Sequence, residues 1–427
     1  KQVPLSHANL CSSAYQIRQT LELTSEDRCL NIMPLFHIHG LVAAMLASFA
    51  AGASIVCTPG FYAPEFFSWM KTFCPTWYTA VPTMHQAILA RAAAVQEQIV
   101  DCPLRFIRSS SSALPPQVFK ALEATFGVPV IEAYGMTEAA HQMASNPLPP
   151  RKRKIGTVGQ ATGKEIAIMD EHGNILPSGK IGEIVVRGPG IMHGYAHNPT
   201  ANAQAFTRGW FRTGDQGYLD SDSYLFITGR LKEIINRGGE KISPREVEEV
   251  LLSHDAIGQA VAFAIPDAKL GEEVAVAVVL KAEMTLSERE IQEFAALHIA
   301  AFKVPRYVAI LKEIPTGPTG KMQRSNLGKI LGPLLLTSVK DRPEREFVAP
   351  RTLTEKALAR IWSQVLDLDE ISIYDTFLEL GGDSMLATRI ISKVSAALKR
   401  DIPILTFFDT PTIYDIASYI DQPAILA

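Results

Sequence analysis

The chain of 427 residues is too long for a single hydrophobic core and predicts two to four domains. Hydrophobic residues make up 47% and charged residues 20%, which is ordinary globular usage and excludes an intrinsically disordered chain. The 41 Lys and Arg against 44 Asp and Glu give a net charge of -3, so no basic field would attract nucleic acid or anionic lipid.

All five cysteines lie in the first quarter of the chain, and none forms the C-x-x-C pair typical of zinc or redox sites. We therefore expect reduced thiols and a cytoplasmic protein. The longest uncharged run, residues 41–57, is short for a membrane span and predicts a buried helix followed by a buried strand. The chain opens without a secretory signal pattern, and its first residue is Lys1 rather than Met, so we expect an N-terminal part to be missing.

Four regions follow from changes of pattern along the chain. Residues 1–229 alternate short apolar runs with helix-like stretches, which predicts a large α/β domain of βαβ units that ends in a β-rich subdomain. Residues 230–338 predict a small α/β lid domain, with a helix that Ser243 caps and Pro244 begins. The charged, Pro-containing stretch 339–350 is typical of a linker, and residues 351–422 have the apolar spacing of a helical bundle.

A polar segment follows the apolar strand predicted at residues 128–131. Its sequence, Tyr134-Gly-Met-Thr137-Glu138, predicts a strand-to-helix turn at the edge where open α/β sheets bind ligands. Thr137 could donate a hydrogen bond to phosphate, and Glu138 offers the hard oxygen that Mg²⁺ requires. A purely structural turn would show the same pattern.

Further Gly-containing segments carry charge. Asp215 and Arg230 each stand just past a Gly turn, where they could bind ribose hydroxyls or could simply be solvated at the surface. Gly238 and Gly239 would let a ligand approach the backbone closely. Lys321, on a Gly- and Pro-rich loop, is suited to neutralising anionic oxygens in a transition state.

In sequence and order these segments resemble the adenylate-forming superfamily of acyl-CoA synthetases and adenylation domains, over residues 1 to about 335. The resemblance implies that a carboxylate attacks the α-phosphate of ATP, releasing pyrophosphate, and that a pantetheine thiol then takes the acyl group. It implies that Tyr134 stacks near adenine, that Thr137 holds phosphate and that Glu138 holds Mg²⁺. Asp215 and Arg230 would bind ribose.

The same resemblance assigns further positions. Lys321 would bridge acyl and phosphate oxygens, and Lys232 would be the hinge about which the small domain rotates. Lys1 would be the last residue of the family's Gly-rich phosphate loop, whose body is absent here. His37 would be a gate beside the thiol tunnel, with a satisfied core histidine as the alternative.

The acyl pocket resembles that of the oxalyl-CoA synthetase branch, from the sequences at 105–112, 134–143 and 236–244. Amino-acid-selecting relatives typically place an aspartate near residue 37, and this chain has none there, which disfavours an α-amino acid. A pocket lined by Ser109, Ser110, His141 and Gln142 would suit a small polar diacid such as oxalate.

The tail carries a separate resemblance. Residues 351–427 contain 7 basic and 11 acidic residues, and Gly-Gly-Asp-Ser384, at a predicted helix start, resembles the attachment motif of phosphopantetheine carrier domains. This implies an all-α four-helix carrier domain with 4′-phosphopantetheine on Ser384, although an N-cap serine would explain Ser384 alone. A phosphopantetheinyl transferase and a downstream acyl-accepting enzyme are the expected partners.

The sequence therefore predicts an AMP-forming acid–thiol ligase that activates a small carboxylic acid and loads it onto its own carrier domain. Two alternatives stay open. One is a ligase that uses free CoA and has an accessory carrier domain. The other is a non-catalytic carrier or docking fragment of a larger synthetase. No partner nucleic acid or membrane is expected in either case.

Overall fold

The computed structural model describes residues 1–92, 103–267, 270–315, 324–340, 347–366, 368–375, 377, 380, 384–403, 406–407 and 412–421. The chain divides into two compact units: Lys1–Ile234 with Ser243–Ser253, and Ile235–Ile242 with His254–Ala427. The domain boundaries that the sequence predicts stay predictions.

A seven-stranded sheet is the centre of the first unit, with the strand order β2-β1-β3-β4-β5-β6-β7. The strands from β2 to β5 pair in parallel, whereas β5, β6 and β7 pair antiparallel. The parallel part confirms the predicted α/β fold. The strands of this sheet are β1 (Arg28–Asn31), β2 (Ser54–Cys57), β3 (Trp77–Ala80), β4 (Phe106–Ser109), β5 (Val130–Met136), β6 (His141–Ser145) and β7 (Gln160–Ala161).

Helices pack on this sheet through apolar residues at helical spacing. Phe66 and Met70 on one helix, and Phe119 and Leu122 on another, join Tyr78 of β3 in one buried cluster. The helices of the first unit are His7–Thr20, Ala47–Ala50, Ala63–Phe73, Pro82–Ala92, Pro116–Phe126, Pro199–Ala205 and Pro244–Leu251, with a π-helical segment His39–Leu46 and a 3₁₀ turn Thr137–Ala139.

Two local predictions for this unit are wrong in detail. The strand predicted as buried at the end of run 41–57 leaves Ser54 and Cys57 exposed, because β2 is an edge strand that pairs only with β1. The helix after Ser243 begins at Pro244 as predicted, but the Ser243 hydroxyl makes no capping hydrogen bond and donates to the Thr228 carbonyl instead.

The β-rich subdomain predicted at the end of the large domain is a second, antiparallel sheet in the same unit. Its order is β10-β11-β9-β8, with β12 pairing to β11. A tight turn from Asp170 to Asn174 follows β8, and the Asp170 carboxylate accepts hydrogen bonds in it from the backbone of His172 and Asn174. The strands are β8 (Glu165–Met169), β9 (Gly182–Arg187), β10 (Phe206–Thr207), β11 (Trp210–Leu219) and β12 (Leu225–Arg230).

The second unit begins with a sheet of order β14-β13-β16-β15, with β17 pairing to β16. Leu327, Leu331 and Leu335, spaced one helical turn apart, pack on Val261 and Phe263 of that sheet. The elements are β13 (Ile235–Arg237), β14 (Glu240–Ile242), β15 (Ile257–Asp267), β16 (Gly271–Leu280), β17 (Tyr307–Ile310), the helices Glu288–His298 and Arg324–Lys340, and a 3₁₀ turn Ala301–Lys303.

In the C-terminal part of the second unit, the described elements are α-helices, as predicted for a carrier domain. Its described helices are Leu353–Leu366, Ser384–Leu398 and Ile413–Asp421, and residues 406–407 are also helical. The rings of Trp362, Phe377 and Phe407 meet in its core. Among the described residues, no helix combines the length and apolar character needed to cross a membrane.

Candidate active site

A carboxylate on β11 is held from two sides. Asp215 stands opposite Arg230 in the β11–β12 pairing, and Arg230 Nε donates to Asp215 Oδ1 at 2.7 Å. Tyr134 of β5 donates its hydroxyl to Asp215 Oδ2 at 2.5 Å. Burial, together with the Asp215 charge, raises the pKa of Tyr134 well above its ordinary value, so the phenol stays a donor. The two donors fix the carboxylate plane, and each oxygen still has a lone pair for a ligand hydroxyl.

The sequence suggested that Asp215 and Arg230 each stand just past a turn. In the structure, both residues lie within paired strands. The register of β11 against β9 shifts between Arg212 and Gln216, and Gly214 in that interval has a φ of +74°. This irregularity places Asp215 with only 5% exposure, next to the half-exposed Arg230.

A second carboxylate, Glu138, is held in the same unit. Tyr195 donates to Glu138 Oε1 at 2.9 Å, and the Glu138 carbonyl accepts from Met192 N at 2.8 Å. Burial and the Glu138 charge raise the pKa of Tyr195 to about 12. Lys1 Nζ lies 4.3 Å from the centroid of the Tyr195 ring, and Thr137 is exposed beside Glu138. Sequence reasoning missed Tyr195, since nothing in the sequence around residue 195 links it to residue 138.

The segment that carries Thr137 and Glu138 is not the strand-to-helix turn predicted. Strand β5 continues to Met136, a single 3₁₀ turn spans Thr137–Ala139, and β6 returns antiparallel from His141. A Cβ added at Gly135 would lie 2.1 Å from the His141 carbonyl oxygen, so only glycine permits this close return. The hairpin keeps Glu138 at the end of the sheet and brings His141 back into it.

The four residues predicted for the acyl pocket, Ser109, Ser110, His141 and Gln142, are all buried. Ser109 and Ser110 are fully buried, and Ser110 Oγ donates to the Ala133 carbonyl at 2.8 Å. Gln142 Nε2 donates to the hydroxyls of Thr20 and Thr162 at 3.2 and 3.3 Å. Its Oε1 accepts a hydrogen bond from a neighbouring buried arginine. The amide of Gln142 is therefore engaged within the protein at both ends.

Two residues that the sequence reasoning did not single out complete this cluster. Arg108 is fully buried in β4, and its NH2 group donates to Gln142 Oε1 at 3.0 Å. His39, at the start of the π-helical segment, is buried with its ring centroid 5.2 Å from that of His141. Burial lowers the pKa of Arg108 to about 9.

A buried lysine adds to the positive charge beside β6. Lys164 Nζ donates to the Gln142 carbonyl at 2.6 Å and to Gln16 Oε1 at 2.9 Å, and burial lowers its pKa to about 8. Neither Lys164 nor Arg108 forms an ion pair with any carboxylate in the part of the chain that the structure describes. Buried basic groups without an acidic partner favour an anionic ligand nearby.

The other predicted positions are dispersed. His37 is half-buried in the turn before the π-helical segment, with its ring centroid 5.0 Å from that of Phe36. Lys232 is exposed, two residues before the division of the chain at Ile234. Gly238 and Gly239 form the turn between β13 and β14, with φ of +57° and +94°, a conformation that favours glycine.

Two predicted sites fall wholly or partly outside the described residues. Lys321 lies in the undescribed stretch 316–323. Residues 381–383 of the attachment motif are also outside, and the described helix that follows them is Ser384–Leu398.

Three family models match the chain in succession. The model for AMP-binding enzymes matches residues 1–196, that for the AMP-binding enzyme C-terminal domain matches 246–321, and that for the phosphopantetheine attachment site matches 356–420. The chain belongs to the AMP-binding enzymes. The three matched ranges follow one another along the chain without overlap.

Two curated relatives of this AMP-binding enzyme are oxalate–CoA ligases. The one from Arabidopsis thaliana is 48% identical over 328 residues, which cover 76% of this chain and 63% of the relative. The one from Saccharomyces cerevisiae is 46% identical over 326 residues, which cover 76% of this chain and 59% of the relative. The chain therefore spans about three fifths of the length of these relatives.

A solved structure extends the likeness to the carrier region. The structure of McyG A-PCP complexed with phenylalanyl-adenylate has a TM-score of 0.79, covers 98% of this chain and 71% of its own, and is 22% identical. At that identity, the likeness shows a common fold.

Proposed function

We propose that this AMP-binding enzyme activates a small carboxylic acid with ATP, forming acyl-AMP and pyrophosphate, and then transfers the acyl group to the phosphopantetheine thiol of its own carrier region, which forms a thioester and releases AMP as the acyl–phosphate bond breaks. The observation that carries the proposal is the Asp215 carboxylate, fixed by Tyr134 and Arg230 with lone pairs left for a ligand. A fixed carboxylate of this kind can accept both hydroxyls of a ribose, which a merely solvated surface aspartate would not do.

In the first step, a carboxylate oxygen of the acid forms a bond to the α-phosphorus of ATP. The bond from that phosphorus to the oxygen bridging to the β-phosphate breaks, and pyrophosphate leaves with the electron pair. Asp215 and Arg230 would hold the ribose, Tyr134 would stack near adenine, and the exposed Thr137 hydroxyl would donate to phosphate. Lys321, as predicted, would neutralise the charge that develops on the reacting oxygens.

A magnesium ion fits the single carboxylate offered by Glu138. The described residues contain no group of three or more His, Cys, Asp or Glu that could hold a metal ion. Magnesium commonly takes only one or two protein carboxylates and completes its shell with water and substrate phosphates. When bound, it would neutralise phosphate charge, while Tyr195 keeps one oxygen of Glu138 in place.

The preferred acid in this proposal is a short dicarboxylate such as oxalate. The two relatives described above are named for oxalate. The buried Arg108 and Lys164 supply positive charge at the predicted acyl pocket, whereas an amino acid would need an acidic side chain there to pair with its ammonium group. A second carboxylate would find compensation there.

The carrier region supports loading in cis. A helix begins at Ser384, and the first backbone N–H groups of a helix lack partners within it, which suits an attached phosphodiester. The attached group would supply the thiol nucleophile, after modification by a phosphopantetheinyl transferase. Tethering gives such a thiol an effective concentration of about millimolar. A downstream acyl-accepting enzyme would then take the product.

A second candidate function is supported by the names of the relatives. Both relatives are CoA ligases, and each match covers 76% of this chain. If this chain acts in the same way, free CoA would accept the acyl group and the carrier region would be an accessory. The two candidates share the first step and differ only in the thiol.

The shared step is tested by ATP–pyrophosphate exchange on the full-length protein with a panel of short mono- and dicarboxylates, amino acids and long fatty acids. Oxalate or another short diacid should support exchange best, and Asp215→Asn should abolish it. The exposed Asp255→Asn is the matched control and should keep it. Absence of exchange with every acid would contradict the enzyme proposal and favour a non-catalytic carrier fragment.

A further inference from the structure

The guanidinium of Arg108 constrains the groups around it, because it can only donate hydrogen bonds. Its NH1 group lies 3.4 Å from His39 Nε2 and 3.4 Å from Thr79 Oγ1, and both of these partners are buried. Whichever atom faces the guanidinium must therefore present a lone pair. A protonated Nε2 on His39 would set one N–H against another.

The guanidinium favours the tautomer of His39 that leaves Nε2 unprotonated. His39 Nε2, unprotonated toward Arg108, accepts from the Thr79 hydroxyl at 2.6 Å. The single ring proton then lies on Nδ1, which is 3.0 Å from Ser111 Oγ. An imidazolium is disfavoured here because it would place two positive charges together in a buried site. In this tautomer, His39 donates from Nδ1 to the oxygen of Ser111.

Ser111 differs from the two serines before it in two independent ways. Ser109 and Ser110 are fully buried, whereas Ser111 is partly exposed. Ser111 also has a φ of +73°, a left-handed conformation that is strained for a residue other than glycine and persists only where the surroundings impose it. Because its oxygen accepts from His39, its own O–H remains to donate to a ligand.

We propose that Arg108 and His39 are positioning residues that fix Ser111 as a hydrogen-bond donor to the non-reacting carboxylate of a short dicarboxylate substrate. This inference rests on the proposed function and deepens it by assigning the groups that recognise the second carboxylate. Arg108 sets the tautomer of His39, and His39 in turn orients the hydroxyl of Ser111. The buried positive charge of Arg108 also favours an anion bound at Ser111.

The tautomer is tested without any activity measurement. Long-range ¹H–¹⁵N correlation spectra of the ¹⁵N-labelled full-length protein, with the His39 signals assigned by their loss in His39→Asn, report which ring nitrogen carries the proton. We expect a protonated Nδ1 and an unprotonated Nε2 at neutral pH, and a loss of this preference in Arg108→Met. A protonated Nε2, or an imidazolium at neutral pH, would overturn the proposal even if the enzyme activates oxalate.

Kinetics of pyrophosphate exchange test the consequence for the substrate. Asn places its amide near the Nδ1 position and can still donate to Ser111, whereas Gln reaches only the Nε2 position. His39→Gln and Ser111→Ala should therefore raise KM for oxalate about tenfold or more, with a much smaller change in KM for ATP. His39→Asn should restore most of the loss, and the exposed Ser112→Ala is the matched control. Equal rises in both KM values, or equal effects of His39→Asn and His39→Gln, would overturn the positioning role.

Discussion

Tyr134 and Asp215 are 81 residues apart in the chain, and the phenol donates to the buried carboxylate at 2.5 Å. The contact joins the large sheet to the antiparallel sheet of the same unit, because Tyr134 lies on β5 and Asp215 on β11. It leaves the carboxylate with one orientation. A nucleotide site built on Asp215 therefore depends on the packing of two sheets and not on one loop.

Removal of the Tyr134 hydroxyl tests that dependence. Tyr134→Phe should destabilise the first unit by about 1 to 3 kcal/mol, since a buried carboxylate loses a hydrogen bond, and should also raise KM for ATP. Urea unfolding followed by tryptophan fluorescence measures the first effect. Tyr218→Phe on β11 is the control, because the Tyr218 ring stacks on Phe226 and its hydroxyl makes no hydrogen bond among the described residues. Equal effects of the two substitutions would contradict the prediction.

Glu132 should make stability depend on pH. Burial raises the pKa of this carboxyl from 4.5 to about 7, while the Leu114 N–H and the charge of Arg245 oppose the rise and Glu249 adds to it. When the pKa of a group is higher in the folded protein than in the unfolded protein, the group contributes its full stabilisation at pH values below the pKa of the unfolded state. That contribution is lost as the pH rises through the pKa of the folded state. Between pH 5 and pH 8, the free energy of unfolding of the wild type should fall by roughly 2 to 3 kcal/mol relative to that of Glu132→Gln. Gln has nearly the same shape as Glu but does not titrate.

The measurement is a series of urea midpoints for wild type and Glu132→Gln across that pH range. Parallel pH profiles for the two proteins would show that the carboxyl is ionised throughout and would refute the prediction.

Lys321 is predicted to serve adenylation. Lys321→Ala should slow pyrophosphate exchange by about 10²-fold or more, by analogy with the loss of one preorganised donor to a developing charge. Lys329→Ala, which removes an exposed lysine from the following helix, is the control and should exchange as wild type does. Exchange at the wild-type rate in Lys321→Ala would end this assignment.

Sequence patterns predicted those helices and strands that depend mainly on neighbouring residues in the chain. The helix Pro116–Phe126, for example, has Pro at its start and Gly127 after its end, and both signals are visible in the sequence. The predicted turn after Met136 was wrong because the return of the chain as β6 depends on contact between Gly135 and His141.

The residues missed at the candidate site share one physical property, which is that their partners are distant in sequence. His39 contacts Ser111 across 72 residues, and Tyr195 contacts Glu138 across 57. Neither has a spacing that a helix or strand period would reveal. The sequence placed Ser109 and Ser110 in the pocket, but only the packing shows that Ser111 is the serine whose oxygen faces His39.

Ser384 is predicted to be the attachment residue. After incubation with a phosphopantetheinyl transferase and CoA, intact-protein mass spectrometry should show one phosphopantetheine on wild type and none on Ser384→Ala. Ser392→Ala, on the exposed side of the same helix, should be modified as wild type is. A modified Ser384→Ala, or an unmodified wild type, would remove the carrier assignment.

The central claim is that the enzyme activates a small acid and attaches it to its own carrier region. Measuring the acyl group on the carrier region tests this claim most directly. The phosphopantetheine-bearing full-length protein is incubated with ATP, Mg²⁺ and oxalate, with and without an excess of CoA, and both the intact-protein mass and the small-molecule products are measured. We predict an acyl group bound to wild type in both conditions and absent from Ser384→Ala, which should still exchange pyrophosphate. Oxalyl-CoA as the only acylated product would contradict loading in cis, and the absence of any acylated product with every acid in the panel would contradict the enzyme itself.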